Sequence, residues 1–425
     1  MKSRNLKPEP KRSSLTRNIG WLGASEITIR VTRLATAVIL ARMLNAHEFG
    51  VIAIAMTVQE VVQTLTRNGI GAKIVQVDEK DQNAVCNIVY RLNWRICIAL
   101  FFIQCAVAQP IRMFYHDAEL FPLVVALAIP YLIYPFAMVQ VYLVQWQNRL
   151  GMTALANCAQ VSIDNLCSAA LALCGFGIWS VIIPKLIVAP IWVLFYRRIQ
   201  PWRPTNAKSD FPQKDILSFS LHVLGSEICA TARRHIDRLL IGYFLGLDTL
   251  GIYYFAVNSG LGLSLSLATA FNTAFYPHLC AQRDNLQALR REFKKGLGMV
   301  TGLSFLVFGT QALLAPWYVP LIFGEQWSYA VPILIILTLS GIPRPAAEAC
   351  AQYLRAINKP RIDFRWNVVF TLLLTLGILS AVFYNIETVA YAVLLSHALL
   401  IPFYVSSCWQ YPGKIRSSQL IRQEI

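Results

Sequence analysis

FSLHVLGSEICATARRHIDRLLIGYFLGLDTLGIYYFA, residues 219–256, reads as a helix of membrane length followed by a turn at Gly246-Leu247-Asp248. Five charges sit inside it: Glu227, Arg233, Arg234, Asp237 and Arg238. At 3.6 residues per turn Glu227, Arg234 and Arg238 share a face, with Arg233 and Asp237 beside it at i,i+4. Most membrane helices carry no charge, so a charged face on an apolar rod must meet water or another protein surface.

The stretch has an echo near the start of the chain. A slide of 201 positions without a gap places Ser25-Glu26-Ile27 on Ser226-Glu227-Ile228, Arg33 on Arg234, Leu44 on Leu245, Gly50 on Gly251 and Ala55 on Ala256. Glu and Arg are rare inside apolar helices, so their coincidence points to an internal duplication more specifically than matched leucines do.

Composition fixes the class. The chain of 425 residues is 56% hydrophobic and 14% charged, with a mean hydropathy of +0.50, which marks an integral membrane protein. No removable signal peptide is expected, because the first apolar segment contains Glu26, Arg30 and Arg33 and no small-residue cleavage site follows it. The ten cysteines lie almost all in apolar segments without a CxxC pair, as small core residues do.

Apolar runs of about 20 residues fall near 19–41, 49–66, 84–108, 120–143, 152–174 and 178–196, and again near 216–242, 250–275, 297–315, 329–350, 366–383 and 388–408. The fold expected is therefore all-α, with about twelve transmembrane helices in two parallel six-helix repeats around a central cavity. A basic tail (1–18), an N-terminal lobe (19–196), a linker (197–215), a C-terminal lobe (216–408) and a second tail (409–425) complete the organisation. The linker contains Pro201, Pro204 and Pro212 and no apolar periodicity.

The net charge of +16 would suit nucleic acid, but its placement argues for membrane topology instead. Tails, linker and alternate loops hold 27 of the 38 Lys and Arg residues, and the opposite side holds only Arg42 and Arg112. By the positive-inside rule both termini and the linker are cytoplasmic. The other nine basic residues are Arg30, Arg33, Arg91, Arg95, Lys185, Arg233, Arg234, Arg238 and Arg344. Each would cost roughly 2.5–3.5 kcal/mol facing lipid near a helix centre, so they must be sheltered, paired or snorkelling. Prolines at 130, 135, 184, 190, 332, 343 and 345 are expected to bend the later helices of each half.

Enzyme chemistry finds no support. There is no GxxxxGK[ST], HExxH or GxSxG, and the six histidines are scattered. No metal site and no cofactor are expected. His222 and His235, on the charged helix, read as packed or hydrogen-bonded side chains rather than ligands.

Five strings carry a resemblance: LARMLNAHEFGVIAIA (40–55), GFGIWSVIIPKLIVAPIWVLFYRRIQPWRP (175–204), IDRLLIGYFLGLDTLGIYYFA (236–256), FYPHLCAQRDNLQALRREF (275–293) and FGEQWSYAVPILIILTLSG (323–341). Over most of its length the chain resembles the polysaccharide-transporter family, the Wzx-like oligosaccharide flippases of the MOP superfamily. The resemblance implies a bacterial inner-membrane transporter. Its substrate would be lipid-linked oligosaccharide on an undecaprenyl pyrophosphate carrier, moved between leaflets for O-antigen, capsule or exopolysaccharide assembly. It also implies two six-helix lobes around a cavity that opens alternately to each side, with membrane lipid and other polysaccharide assembly proteins as partners and no nucleic acid. Many relatives carry two further C-terminal helices, where twelve are counted here.

Arg30, Arg33, Arg234 and Arg238 are then the substrate-binding candidates, since the planar guanidinium suits phosphate oxygens. Glu26, Glu227 and Asp237 are the candidate coupling or cavity acids. The rival reading for those acids is ion pairing that only neutralises Arg30 or Arg234. Rival functions are an ion-coupled small-molecule antiporter or efflux protein of the same superfamily, a secondary transporter of the MFS type, and a non-transporting assembly factor. The Asn68-Gly69-Ile70-Gly71-Ala72-Lys73 loop lacks the Gly-Asp-Arg pattern expected of the MFS type, and buried charge gives a scaffold no benefit.

Overall fold

A computed structural model describes residues 15–66, 82–147, 149–205, 234–261, 285–357 and 359–409, together with Ile74, Thr231 and the short stretches 275–276 and 278–282. Glu227 and Arg233 lie outside the described residues, as do both chain ends and most of the linker.

All regular structure among the described residues is helical. The helices are α1 (Leu15–Met43), α2 (Ala46–Thr64), α3 (Gln82–Tyr115), α4 (Leu120–Ala128), α5 (Met138–Trp146), α6 (Leu150–Leu173) and α7 (Trp179–Ile199). After a helical stretch over 234–244 come α8 (Gly246–Gly260), α9 (Leu286–Tyr318), α10 (Val331–Ser340), α11 (Arg344–Ala356), α12 (Pro360–Ala381) and α13 (Ile386–Trp409). Among the described residues six helices are long and apolar enough to cross a membrane, and a bent pair brings the number to seven. The protein is an all-α, multi-pass membrane protein.

The expected prolines act in two ways. Between α4 and α5 the chain passes through the short turns Pro130–Ile133 and Tyr134–Phe136 and bends by 52°, since each proline withholds an N–H and crowds the preceding turn. Gly341, Ile342 and Pro343 likewise separate α10 from α11, whose first turn holds Pro345. Pro184 and Pro190, in contrast, lie within an unbroken α7. Of the two Gly-x-x-x-Gly spacings, Gly242–Gly246 and Gly298–Gly302, only Gly242 has a close neighbour: a Cβ there would press on Tyr115 at 3.0 Å, whereas at Gly246, Gly298 and Gly302 it would meet nothing within 4 Å.

The chain divides into two compact units: residues 1–36, 62–106 and 123–227 form one, and 37–61, 107–122 and 228–425 the other. In the first, α1 is fixed to α6 by polar contacts. The Thr36 hydroxyl donates to the Asn165 carbonyl at 2.8 Å, and the Asn165 amide donates to Thr32 Oγ1 at 3.2 Å. Asn87 clamps the start of the linker, donating to Thr205 Oγ1 and accepting from the Thr205 N–H, both at 2.8 Å. Lys185, one of the nine membrane-embedded cations, is paired with Asp164 at 3.1 Å.

In the second unit α2 crosses α8 with a two-fold relation. A Cβ on Gly50 would run into the Leu247 carbonyl oxygen, and a Cβ on Gly251 into that of Ala46. Gly50 and Gly251 are 201 positions apart, and so are Ala46 and Leu247, which is the offset read from the sequence. His47 approaches its own counterpart Asp248 at 3.3 Å and Asp117 at 2.9 Å. Beside the crossing, Trp327 is 1% exposed. It stacks on Phe255 at 4.0 Å and donates its indole N–H to the Ala41 carbonyl at 2.7 Å.

Candidate functional site

Helical spacing in the second unit collects a polar cluster inside apolar surroundings. Thr231, Arg234, His235 and Arg238 recur at three- and four-residue intervals and so form one strip. Gly246, at φ +84°, takes a left-handed conformation that suits glycine, and the chain turns there into α8. Consecutive residues of α8 then reach Arg238 of the strip and its neighbour Asp237. The Tyr253 hydroxyl donates to Asp237 Oδ2 at 2.8 Å, and the Tyr254 ring lies 5.1 Å below the Arg238 guanidinium, a cation–π arrangement.

Arg234 Nη2 donates to Thr231 Oγ1 at 2.8 Å. Arg238 Nη1 lies 3.3 Å from His235 Nδ1, and His235 Nε2 lies 2.9 Å from Glu60 Oε2 of α2. An arginine N–H can only donate, so Nδ1 accepts and the ring proton belongs on Nε2, beside the Glu60 carboxylate. His235 is 2% exposed and is thus the packed, partnered histidine expected from the sequence. Glu60 lies within electrostatic reach of Arg234 and Arg238 as well.

Arg344 begins α11, an unfavourable place for a cation because the helix dipole is positive there. Asp237, within its electrostatic reach, offsets this. Its Nη2 donates to Ser340 Oγ at 3.1 Å, and its Nε is buried without a hydrogen bond. Three guanidinium groups thus meet two carboxylates among the described residues of the cluster, leaving an excess of positive charge.

Arg30, Arg33 and Glu26 belong to the other unit. On α1, the buried Ile29 and the residues Ser25, Thr32 and Thr36 form the strip that meets α6. Glu26, Arg30 and Arg33 share a strip turned about 100° from it. Glu26 and Arg33 are exposed and Arg30 is half-buried, with Nε buried and without a hydrogen bond. Glu227, expected as a coupling or cavity acid or as an ion-pair partner of Arg234, lies outside the described residues, and the partners seen for Asp237 are Tyr253 and the Arg238 backbone N–H.

Sequence reasoning passed over Glu60 and Tyr253. An acid in the apolar run IAIAMTVQEVV was a signal of the same kind as Glu227, but the duplication hides it, since Glu60 slides onto Leu261. Tyr253 carries no charge and lies in a string of aromatic residues that reads as packing.

Known proteins supply the context. A family model described as polysaccharide biosynthesis protein matches residues 39–332. The chain is 26% identical over 367 residues to the teichuronic acid biosynthesis protein TuaB of Bacillus subtilis, covering 85% of this chain and 75% of that one. It is 25% identical over 373 residues to the succinoglycan biosynthesis transport protein ExoT of Rhizobium meliloti, covering 86% and 74%. Among solved structures the lipid II flippase MurJ in an inward closed conformation aligns with a TM-score of 0.77 at 13% identity, covering 93% of this chain and 88% of that one. A multidrug resistance MATE transporter of the MOP superfamily, inward-facing, aligns at 0.64 with 15% identity and 98% coverage of each chain. The family match spans more than half of the sequence: the chain belongs to the polysaccharide biosynthesis protein family and shares the fold of these solved structures.

Proposed function

We propose that this protein flips lipid-linked oligosaccharide, on a carrier of the undecaprenyl pyrophosphate type, from the inner to the outer leaflet of the bacterial cytoplasmic membrane by alternating access. Twelve helices in two parallel repeats form the transporter, with both termini cytoplasmic. Arg30, Arg33, Arg234 and Arg238 hold the pyrophosphate while the glycan and lipid pass with it. Glu26, Glu227 and Asp237 tune the charge of that path, and other polysaccharide assembly proteins receive the product.

The observation that carries this reading is the charge excess around Arg234 and Arg238. Among the described residues these arginines are oriented by a hydroxyl, an imidazole and an aromatic face rather than each being closed by its own carboxylate, which suits guanidinium N–H groups to an anion. Facing lipid, such groups would be strongly destabilising. Facing a pyrophosphate, they form charge-assisted hydrogen bonds in the low-dielectric interior.

The test is surface glycan in cells carrying Arg→Ala and Arg→Lys at each of the four positions, with membrane abundance as control. Export falls with alanine at each site, and lysine fails at Arg234 if recognition is bidentate. Normal export from stable alanine variants at all four sites would remove the assignment.

A further inference from the structure

The charged cluster does not end at Arg344. The same side chain lines an open-mouthed cavity of about 300 Å³ between α11, α12 and α13, all within the second unit. Resting on the transport reading above, we infer that this cavity is a sugar subsite: it takes the single sugar residue joined to the carrier's pyrophosphate.

Charge is the first ground. With Arg344 counted in the cluster, the rest of the lining sets Glu348 and Asp363 against Arg355 alone, so the cavity is formally acidic where the neighbouring cluster is positive. Asp363 is also heavily used: its Oδ1 accepts from the Tyr404 hydroxyl at 2.9 Å and from the Asn367 amide at 2.8 Å. A phosphate would have to approach a fixed carboxylate, whereas a neutral polyol would not be repelled.

The second ground is the kind of surface. Trp366 and Tyr404 stand 5.4 Å apart at 44°, and Phe370 meets His397 edge-on at 5.0 Å. These rings offer apolar faces to the C–H face of a pyranose. Guanidinium donors lie beside carboxylate and amide acceptors, and sugar hydroxyls can satisfy both kinds. The wall sets the apolar faces of Trp366, Phe370 and Tyr404 beside directed charged and amide groups, the combination that a polyol with one C–H face needs.

Size and place complete the case. Small-molecule sites run from about 300 to 1,000 Å³, so this cavity holds one ring and not an oligosaccharide repeat. Because Arg344 belongs to both the cluster and the cavity, an anion held by the cluster leaves its adjoining ring at the cavity mouth. On the proposed topology the α11–α12 connection, with Arg355, Lys359, Arg361 and Arg365, is cytoplasmic, the side from which the loaded carrier arrives.

The experiment measures binding of three lipids to the purified full-length protein in nanodiscs: undecaprenyl pyrophosphate alone, the same carrier bearing one hexose, and the carrier bearing one N-acetylhexosamine. The wild type should hold at least one sugar-bearing lipid about tenfold more tightly than the bare carrier. Trp366→Ala and Asn367→Ala should each abolish that preference while bare-carrier affinity stays unchanged. Trp366→Phe should retain most of it, which separates lost stacking from a misfolded helix. Equal wild-type affinity for all three lipids, or a preference that survives both alanine variants, overturns the sugar subsite and leaves the transport reading intact. Failure of the wild type to bind any of the three overturns both.

Discussion

The α2–α8 crossing makes a quantitative prediction. At Gly50 and Gly251 the obstacle to a side chain is a backbone carbonyl, of Leu247 and Ala46 respectively, so no rotamer change relieves it and the two helices must part. Overpacking of this kind costs about 1–3 kcal/mol. Because valine adds two γ-carbons at the tightest point, and gains only a few tenths of a kcal/mol over glycine in helix propensity, Gly50→Val and Gly251→Val should each lose about 2–3 kcal/mol. The double variant should not lose twice that. Once one valine has parted the helices, the second enters a gap already open, so the double should stay near 3 kcal/mol, with a coupling of about 1–3 kcal/mol. SDS titration of the purified protein in mixed micelles, followed by tryptophan fluorescence, gives the four free energies of the cycle. Gly302→Val is the control, since a Cβ there meets nothing within 4 Å, and it should be near neutral. Additive losses at Gly50 and Gly251, or losses no larger than at Gly302, would refute the two-fold backbone contact.

Three further outcomes follow from particular contacts. Tyr253→Phe removes the hydroxyl that donates to Asp237 from a residue only 1% exposed, and should destabilise the protein by about 1–3 kcal/mol in the same titration; no change would mean that Asp237 finds another partner. Lys185→Ala should cost about 1–2 kcal/mol by leaving the partly buried Asp164 unpaired, and Asp164→Ala on that background should recover part of it; a double variant worse than Lys185→Ala would refute the pairing. Reporter fusions after Tyr196 and after Pro412 should both signal cytoplasm, and an external signal at either would contradict the topology.

The sequence reveals the helices well because a bilayer demands long apolar runs, and those of α3, α9 and α13 are hard to misread. It reveals less of how these helices break. Pro130 and Pro135 lie at a bend while Pro184 and Pro190 lie within an unbroken helix, a difference that composition does not record. Duplication located the arginines of α1 and of 234–244, and also the Gly50 and Gly251 pair. The acid and the hydroxyl of the cluster were hidden, because Glu60 has no counterpart at the 201-residue offset and Tyr253 is silent in charge, whereas Arg344 was legible as an embedded cation. The sugar-sized cavity was hidden for a related reason. Asp363, Asn367 and Arg355 stand at the polar end of α12 and α11, where charge is ordinarily a solvated helix end, and only the packing of α13 against them turns the three into a lining.

The central claim is transfer of a lipid-linked glycan by way of the arginines. The most direct measurement reconstitutes the protein into vesicles with a carrier whose glycan is fluorescent, and follows access of the inner-leaflet pool to a membrane-impermeant quencher. The wild type should expose that pool much faster than protein-free vesicles. Arg234→Ala and Arg238→Ala should each slow it by about tenfold or more, the loss expected for one or two charge-assisted hydrogen bonds. No acceleration by the wild type, or wild-type rates from a folded variant with alanine at Arg30, Arg33, Arg234 and Arg238 together, would contradict the account.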